Sequence, residues 1–212
     1  MIQTCEAITL RTYAFGEANK IAVFLSRNQG LVRGVAYGAK KSRARFGAAL
    51  EPMTQVRISV KRKEHEDLAV IQNCEIIRAT PAYDLGWEQN LYLGYFAEVL
   101  LEFAREQVED ERLYRLILAV LGAIESVPAE VLARYFELWV LQLEGVLPQL
   151  TAVLSAPLAE KTGRMLKLPP TELHQVEMSP AELSQLESAA EKLIEYHLEK
   201  PLKAKRMLKE LL

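Results

Sequence analysis

The sequence is poor in the residues that build chemistry. Among its 212 residues only Cys5 and Cys74 are cysteines. Two thiols far apart in the chain cannot make the disulfide framework of a small secreted domain, so a reducing cytoplasm is the expected compartment. Both fall in predicted strands, where a free cysteine behaves as a small hydrophobe. Histidine is nearly as scarce. His65, His174 and His197 are scattered and match no metal-ligand spacing; His197 ends an apolar stripe and reads as a packing residue. There is no glycine-rich phosphate loop, no Gly-x-Ser-x-Gly elbow and no Cys/His pairing. No catalytic residue, no metal and no cofactor are therefore expected, and an enzyme is the least favoured class. A run of ~18 apolar residues is also lacking, as is a basic-then-apolar leader, so neither a membrane span nor a signal peptide is expected.

What is present is unevenly distributed. The net charge of −2 hides two halves. Residues 1–80 carry thirteen Lys/Arg against seven Asp/Glu, whereas residues 81–212 carry thirteen against twenty-one. Such asymmetry points to a basic binding domain joined to an acidic body. The charge densest in cations lies between Tyr37 and Pro52, where Lys40, Lys41, Arg43 and Arg45 crowd six positions bracketed by Gly38 and Gly47, with Phe46 beside them. Small residues without apolar periodicity predict a loop. Cations with an aromatic suit a phosphate backbone and the faces of unstacked bases. Four like charges are also what a merely solvated loop tip carries.

Around this loop the first 80 residues read as strands. Ile8 and Leu10 alternate with Thr9 and Arg11, and Ile21, Val23 and Leu25 with Ala22 and Phe24. Asn28-Gln29-Gly30 signals a turn into Leu31–Tyr37. Val56, Ile58 and Val60 alternate with Arg57, Ser59 and Lys61, the clearest period of two in the chain. Leu68–Ile77 is the fifth strand. Five short strands suit a small closed barrel, with the oligonucleotide-binding barrel (OB-fold) the first candidate and an SH3-like barrel fitting the strand count almost as well.

After Pro81 the period changes. Tyr92, Phe96, Val99 and Phe103 recur at helical spacing, as do Leu113, Leu116, Ile117, Val120, Leu121 and Ile124. A helix opening at Pro128 and running to Gly145 is apolar nearly all round, so it is expected at the centre of a bundle. Prolines make residues 147–178 an irregular segment. Ser179-Pro180-Ala181-Glu182 is a capping box, opening a helix with the stripe Leu183, Leu186, Ala190, Leu193, His197. A short basic helix, Leu202–Leu211, closes the chain. The fold class is α+β: residues 1–80 an OB-fold barrel, residues 81–212 a helical domain.

Binding is the favoured function. Arg33 and Tyr37 share one strand face, opposite Val32, Gly34 and Ala36. With Arg57, Lys61, Arg62, Lys63 and the loop cations they can form one basic, outward surface for nucleic acid. Phosphate contacts carry no sequence information, so an RNA-binding barrel fits the same charge map. A non-enzymatic adaptor gripping an acidic tail is a third reading.

The order of residues also resembles a known family. Gly30-Leu31-Val32-Arg33-Gly34-Val35-Ala36, Gly38-Ala39-Lys40-Lys41, Phe46-Gly47 and Leu50-Glu51-Pro52 are similar to the N-terminal domain of the bacterial RecO family. Ile8–Tyr13 and Gly16–Lys20 resemble its first hairpin, Ala133–Leu138 a helix of its helical domain, and His197–Arg206 its closing segment. Many relatives carry Cys-x-x-Cys pairs for zinc, whereas residues 147–178 here hold no cysteine, so no zinc is expected. The resemblance implies a DNA repair and recombination mediator of the RecF pathway, cytoplasmic and nucleoid-associated. It would bind single- and double-stranded DNA, anneal complementary strands, and work with RecR and the C-terminal tail of the single-stranded DNA-binding protein SSB to load RecA. Residues 81–198 carry eight Lys/Arg against nineteen Asp/Glu, so the acidic SSB tail is expected to avoid most of the helical body except near the chain's end. Lys203, Lys205 and Arg206, next to the stripe Leu183–Leu193, are the expected contacts for that tail or for a second stretch of DNA.

Overall fold

The structure, a computed structural model, describes residues 2–41, 46–62, 68–80 and 84–212. Five strands form its first part: β1 (Ile2–Phe15), β2 (Asn19–Ser26), β3 (Gly30–Ala36), β4 (Gln55–Lys61) and β5 (Ala69–Arg78). They close into a barrel in the order β1-β2-β3-β5-β4, with β4 pairing back onto β1. The β3–β5 pair is parallel and the other four are antiparallel. This order is that of the OB-fold, and it removes the SH3-like alternative that strand count left open.

Period two does what it predicts. Val56, Ile58 and Val60 are fully buried while Arg57 and Lys61 face out. They join Ala7, Phe24, Val32 and Ile71 in the barrel core. The loop between β3 and β4 contributes too: Phe46, Ala49 and Leu50, around a 3-10 turn at Gly47–Leu50, belong to the same core. Thr9 Oγ1 donates to the Ala49 carbonyl at 2.7 Å, fixing that turn to β1.

The turn before β3 requires its glycine. Gly30 has φ +62°, and a Cβ there would stand 2.1 Å from the Arg105 carbonyl oxygen and 2.4 Å from that of Val108. The Leu31 amide donates to the Arg105 carbonyl at 2.9 Å. Residues of the helical sequence thus belong to the barrel's unit, which comprises Met1–Asp84 and Ala97–Tyr114; the second unit is Leu85–Phe96 with Arg115–Leu212. The packing units therefore do not part at residue 80 alone.

Seven helices follow the barrel: α1 (Trp87–Phe103), α2 (Glu111–Ala123), α3 (Ala129–Leu143), α4 (Leu150–Val153), α5 (Ala156–Met165), α6 (Pro180–Leu198) and α7 (Lys203–Leu211). As its all-round apolarity predicts, α3 is buried on nearly every side from Leu132 to Leu138. The segment 147–178 is more regular than its prolines imply, because Pro157 stands in the first turn of α5, where its missing amide costs no hydrogen bond. The capping box is present: Ser179 Oγ accepts from the Glu182 amide and Glu182 Oε2 accepts from the Ser179 amide at 2.8 Å.

One stripe departs from expectation. The buried face of α6 is Leu183, Leu186, Ala190 and Ile194; Leu193 is half-buried and His197 is exposed, so His197 is not a packing residue. Alternating steps of three and four follow a 3.5-residue repeat, whereas a straight helix turns in 3.6 and drifts about 20° per heptad. By the third turn the core side has moved one residue on. Among the described residues no helix is long and apolar enough to cross a membrane.

Candidate nucleic-acid interface

The outer face of β1, β2 and β3 has two halves. In one, Ile8, Leu10, Val23, Leu25 and Leu31 are buried, and the Arg105–Val108 stretch of the same unit lies against Gly30 and Leu31. The other half is open and aromatic. Tyr13 pairs with Ile21, which pairs with Val35, and Phe15 pairs with Asn19. Tyr13 and Phe15 alternate onto one face, and Tyr37 continues the same face just beyond β3. All three rings are roughly half exposed, at 47%, 44% and 51%. Strands about 4.8 Å apart place rings on β1 and β3 about 10 Å from each other. Sequence reasoning singled out Tyr37 but missed Tyr13 and Phe15; their spacing of two, in step with Arg11, was the available signal.

The basic loop starts beside these rings. Asn19 Oδ1 accepts from the Gly38 amide at 2.9 Å, and the Ala18 carbonyl from the Lys40 amide at 2.9 Å. Lys40 Nζ donates to the Gly16 carbonyl at 2.7 Å. Lys40 and Lys41 are exposed. Positive φ at Gly16 (+60°) and Gly38 (+74°) lets both turns tighten enough to meet. Tyr37, Lys40 and Lys41 are therefore held against the β1–β2 turn that carries Phe15. Arg43, Arg45 and Lys63 lie outside the described residues.

The remaining expected residues do not make one surface. Phe46 is 2% exposed in the barrel core, which corrects its assignment to base stacking: a buried ring has no face to offer. Arg33 is half exposed and pairs with Glu106 at 2.9 Å. Arg57 stands in register with Glu6 on β1 and Glu75 on β5, with Glu6 at 3.8 Å, so carboxylates flank it on both sides. Lys61 is exposed and Arg62 half-buried at the end of β4. Among the described residues of the barrel, Lys40, Lys41, Lys61 and Arg62 have no described carboxylate within 4.0 Å, and neither have Arg11, Lys20 and Arg78. Cys5 and Cys74 are buried, and burial pushes the Cys74 thiol up to about 12, which keeps it protonated and unreactive.

In the helical unit the predicted contact set is split. Lys205 is 3% exposed, which corrects its assignment to a docking surface. Its Nζ lies 2.6 Å from Glu187 and 3.4 Å from the fully buried Glu137, and 5.2 Å from the centroid of the Tyr95 ring. Arg134 sits 2.9 Å from Glu137 and 3.2 Å from Glu187, and Tyr95 Oη donates to Glu137 at 2.5 Å. Burial alone would lower the Arg134 pKa, but Glu137 and Glu187 raise it overall. Burial likewise disfavours the Glu187 charge, but the hydrogen bond from Lys205 and the charge of Arg134 together outweigh it, lowering that pKa. Lys203 and Arg206 are exposed, Arg206 facing Glu210 at 3.7 Å. Of the stripe Leu183–Leu193, Leu183, Leu186 and Ala190 face inward, whereas Leu193 is half-buried and lines a groove.

An OB-fold binds oligonucleotides on its β2–β3 face and adjoining loops. The open aromatic half with Lys40 and Lys41 occupies that place. Two family models account for most of the chain: one described as recombination protein O N terminal matches residues 1–80, the other, recombination protein O C terminal, residues 86–155. The chain belongs to the RecO family. Among its relatives, the protein called DNA repair protein RecO in Koribacter versatilis (strain Ellin345) is 37% identical over 150 residues, covering 71% of this chain and 62% of that relative. Its namesake in Anaeromyxobacter dehalogenans (strain 2CP-C) is 34% identical over 148 residues, 68% of this chain and 58% of its own. In Syntrophus aciditrophicus (strain SB) the figures are 31% over 156 residues, 72% and 60%. The matched stretch thus spans about three fifths of these relatives' length.

Proposed function

We propose that this chain is a non-catalytic DNA-binding recombination mediator of the RecF pathway, acting in the cytoplasm at the nucleoid. The observation that carries the reading is the open aromatic face of Tyr13, Phe15 and Tyr37 with Lys40 and Lys41 pinned to its edge. Rings accept unstacked bases of any identity, worth about 1–3 kcal/mol per base, and lysines neutralise the backbone between them. A strand held by its bases' faces on a cationic support repels a complementary strand less, which favours annealing. Double-stranded DNA meets only the cations, so single strands bind more tightly. Family membership supports the wider role: cooperation with RecR, contact with the SSB tail and, indirectly, RecA loading. Lys203 and Arg206 are exposed cations near the chain's end, able to meet an acidic tail.

The test is annealing of two complementary oligonucleotides carrying a donor and an acceptor dye. Wild type should accelerate it, and Lys40→Gln/Lys41→Gln should lose most of the acceleration. No acceleration by wild type, or an undiminished rate in the variant, would overturn the reading. Competition between equal lengths of single-stranded DNA and RNA separates it from an RNA-binding role.

A further inference from the structure

The helical unit holds a groove that DNA binding by the barrel does not use. Its volume is about 750 Å³. Val146, Pro148 and Leu193 form its apolar lining, and Glu195, Tyr196, His197 and Glu199 of the α6 end complete it. Past Leu193 it continues into a depression of about 310 Å³ beside Val153, Leu154 and Ala189. α6 thus has two apolar-bearing faces. One, Leu183 to Ile194, is buried in the bundle; the other, Ala189, Leu193 and Tyr196, runs at steps of four and three along the groove for about 11 Å.

The charge at this end is unusual. A helix C-terminus carries about half a negative charge and ordinarily attracts cations. Here Glu195 and Glu199 add two carboxylates, with His197 the basic side chain of the last turn. Tyr196 is 87% exposed, more than any other large hydrophobic side chain among the described residues. Lys192 lines the far depression, and the two lining carboxylates Glu195 and Glu199 lie at the Tyr196 end.

We propose that this groove docks a basic segment of a protein partner that carries an apolar anchor. The anchor seats on Val146, Pro148 and Leu193. An adjacent Arg or Lys meets Glu195 and Glu199 and lies over the Tyr196 ring, where a cation gains from the ring quadrupole. An acidic peptide is repelled from the same place. The surface is chemically opposite to the barrel's aromatic face.

The probe is a short fluorescein-labelled peptide with an Arg/Lys-rich half followed by Leu-Phe, set against the same peptide with Glu for every Arg and Lys. Anisotropy is read on the full chain at low salt. Wild type should bind the basic peptide, and the acidic peptide should not displace it. Glu195→Gln/Tyr196→Ala/Glu199→Gln should weaken binding about tenfold, the sum of one cation–π contact and two half-exposed ion pairs. Glu160→Gln/Glu172→Gln, exposed acids elsewhere on the unit, should change it less than about twofold, the two changes together being worth under one exposed ion pair. Circular dichroism on each variant confirms the fold. Absence of binding to wild type, equal weakening by the control pair, or displacement of the basic peptide by the acidic one would overturn the proposal.

Discussion

Lys40 Nζ donates a 2.7 Å hydrogen bond to the Gly16 carbonyl, tying the start of the basic loop to the β1–β2 turn. The amide bond from Lys40 to Ala18 reinforces it. Cations and rings that lie far apart in sequence thereby share one edge of the barrel. A lysine spent on a neutral carbonyl keeps its charge, so the tie positions the ammonium without cancelling it. Arg33 and Arg57 differ, since each faces a carboxylate.

Phe46 and Tyr37 should part company on mutation. Phe46→Ala empties a buried site in the barrel core and should cost about 3–5 kcal/mol of unfolding free energy. Tyr37→Ala removes a half-exposed ring and should cost less than about 1 kcal/mol while weakening single-strand binding. Denaturant melts check the first pair of values. Equal stability losses would contradict these placements.

Lys205 should behave as a core residue. Lys205→Met keeps the bulk but leaves Glu137 and Glu187 with Arg134 as the remaining buried cation, and should destabilise by about 3–5 kcal/mol. Adding Glu137→Gln should restore part of the loss, a coupling that a double-mutant cycle reads directly. A change under about 1 kcal/mol in the single variant would mean that Lys205 is solvated.

Glu182 predicts a pH effect. The hydrogen bond from Lys161, then those from the Ser179 amide and hydroxyl, lower its pKa from 4.5 to about 2. A folded-state pKa below the unfolded one stabilises fully above pH 4.5 and is lost as pH falls towards 2. Wild type should therefore exceed Glu182→Gln in stability by a constant margin near neutrality, and the margin should shrink across that acid window. A margin independent of pH would contradict it.

How far the sequence was readable follows from which signals are local. Val56, Ile58 and Val60 declare their strand by alternation, and Ser179 with Glu182 declares a helix start, because each signal lies within a few residues. Phe46 sits among small and basic residues with no period, and its burial is decided by barrel closure. Arg57 gains acid neighbours only through register with β1 and β5. Lys205 reads as one of a cluster of cations, yet Lys205 and Leu208 form the buried face of α7, in line with buried Leu202 just before it. Charge density alone could not separate it from Lys203 and Arg206.

The most direct test of the central claim is anisotropy of a labelled single-stranded oligonucleotide, titrated at several salt concentrations. Tyr13→Ala/Phe15→Ala/Tyr37→Ala should weaken binding by about 1–3 kcal/mol per stacked base lost and leave the salt slope unchanged. Lys40→Gln/Lys41→Gln should flatten the slope by about 0.7 for each phosphate contact removed. Unchanged affinity in the correctly folded triple variant would contradict the aromatic face as the place where the strand lies.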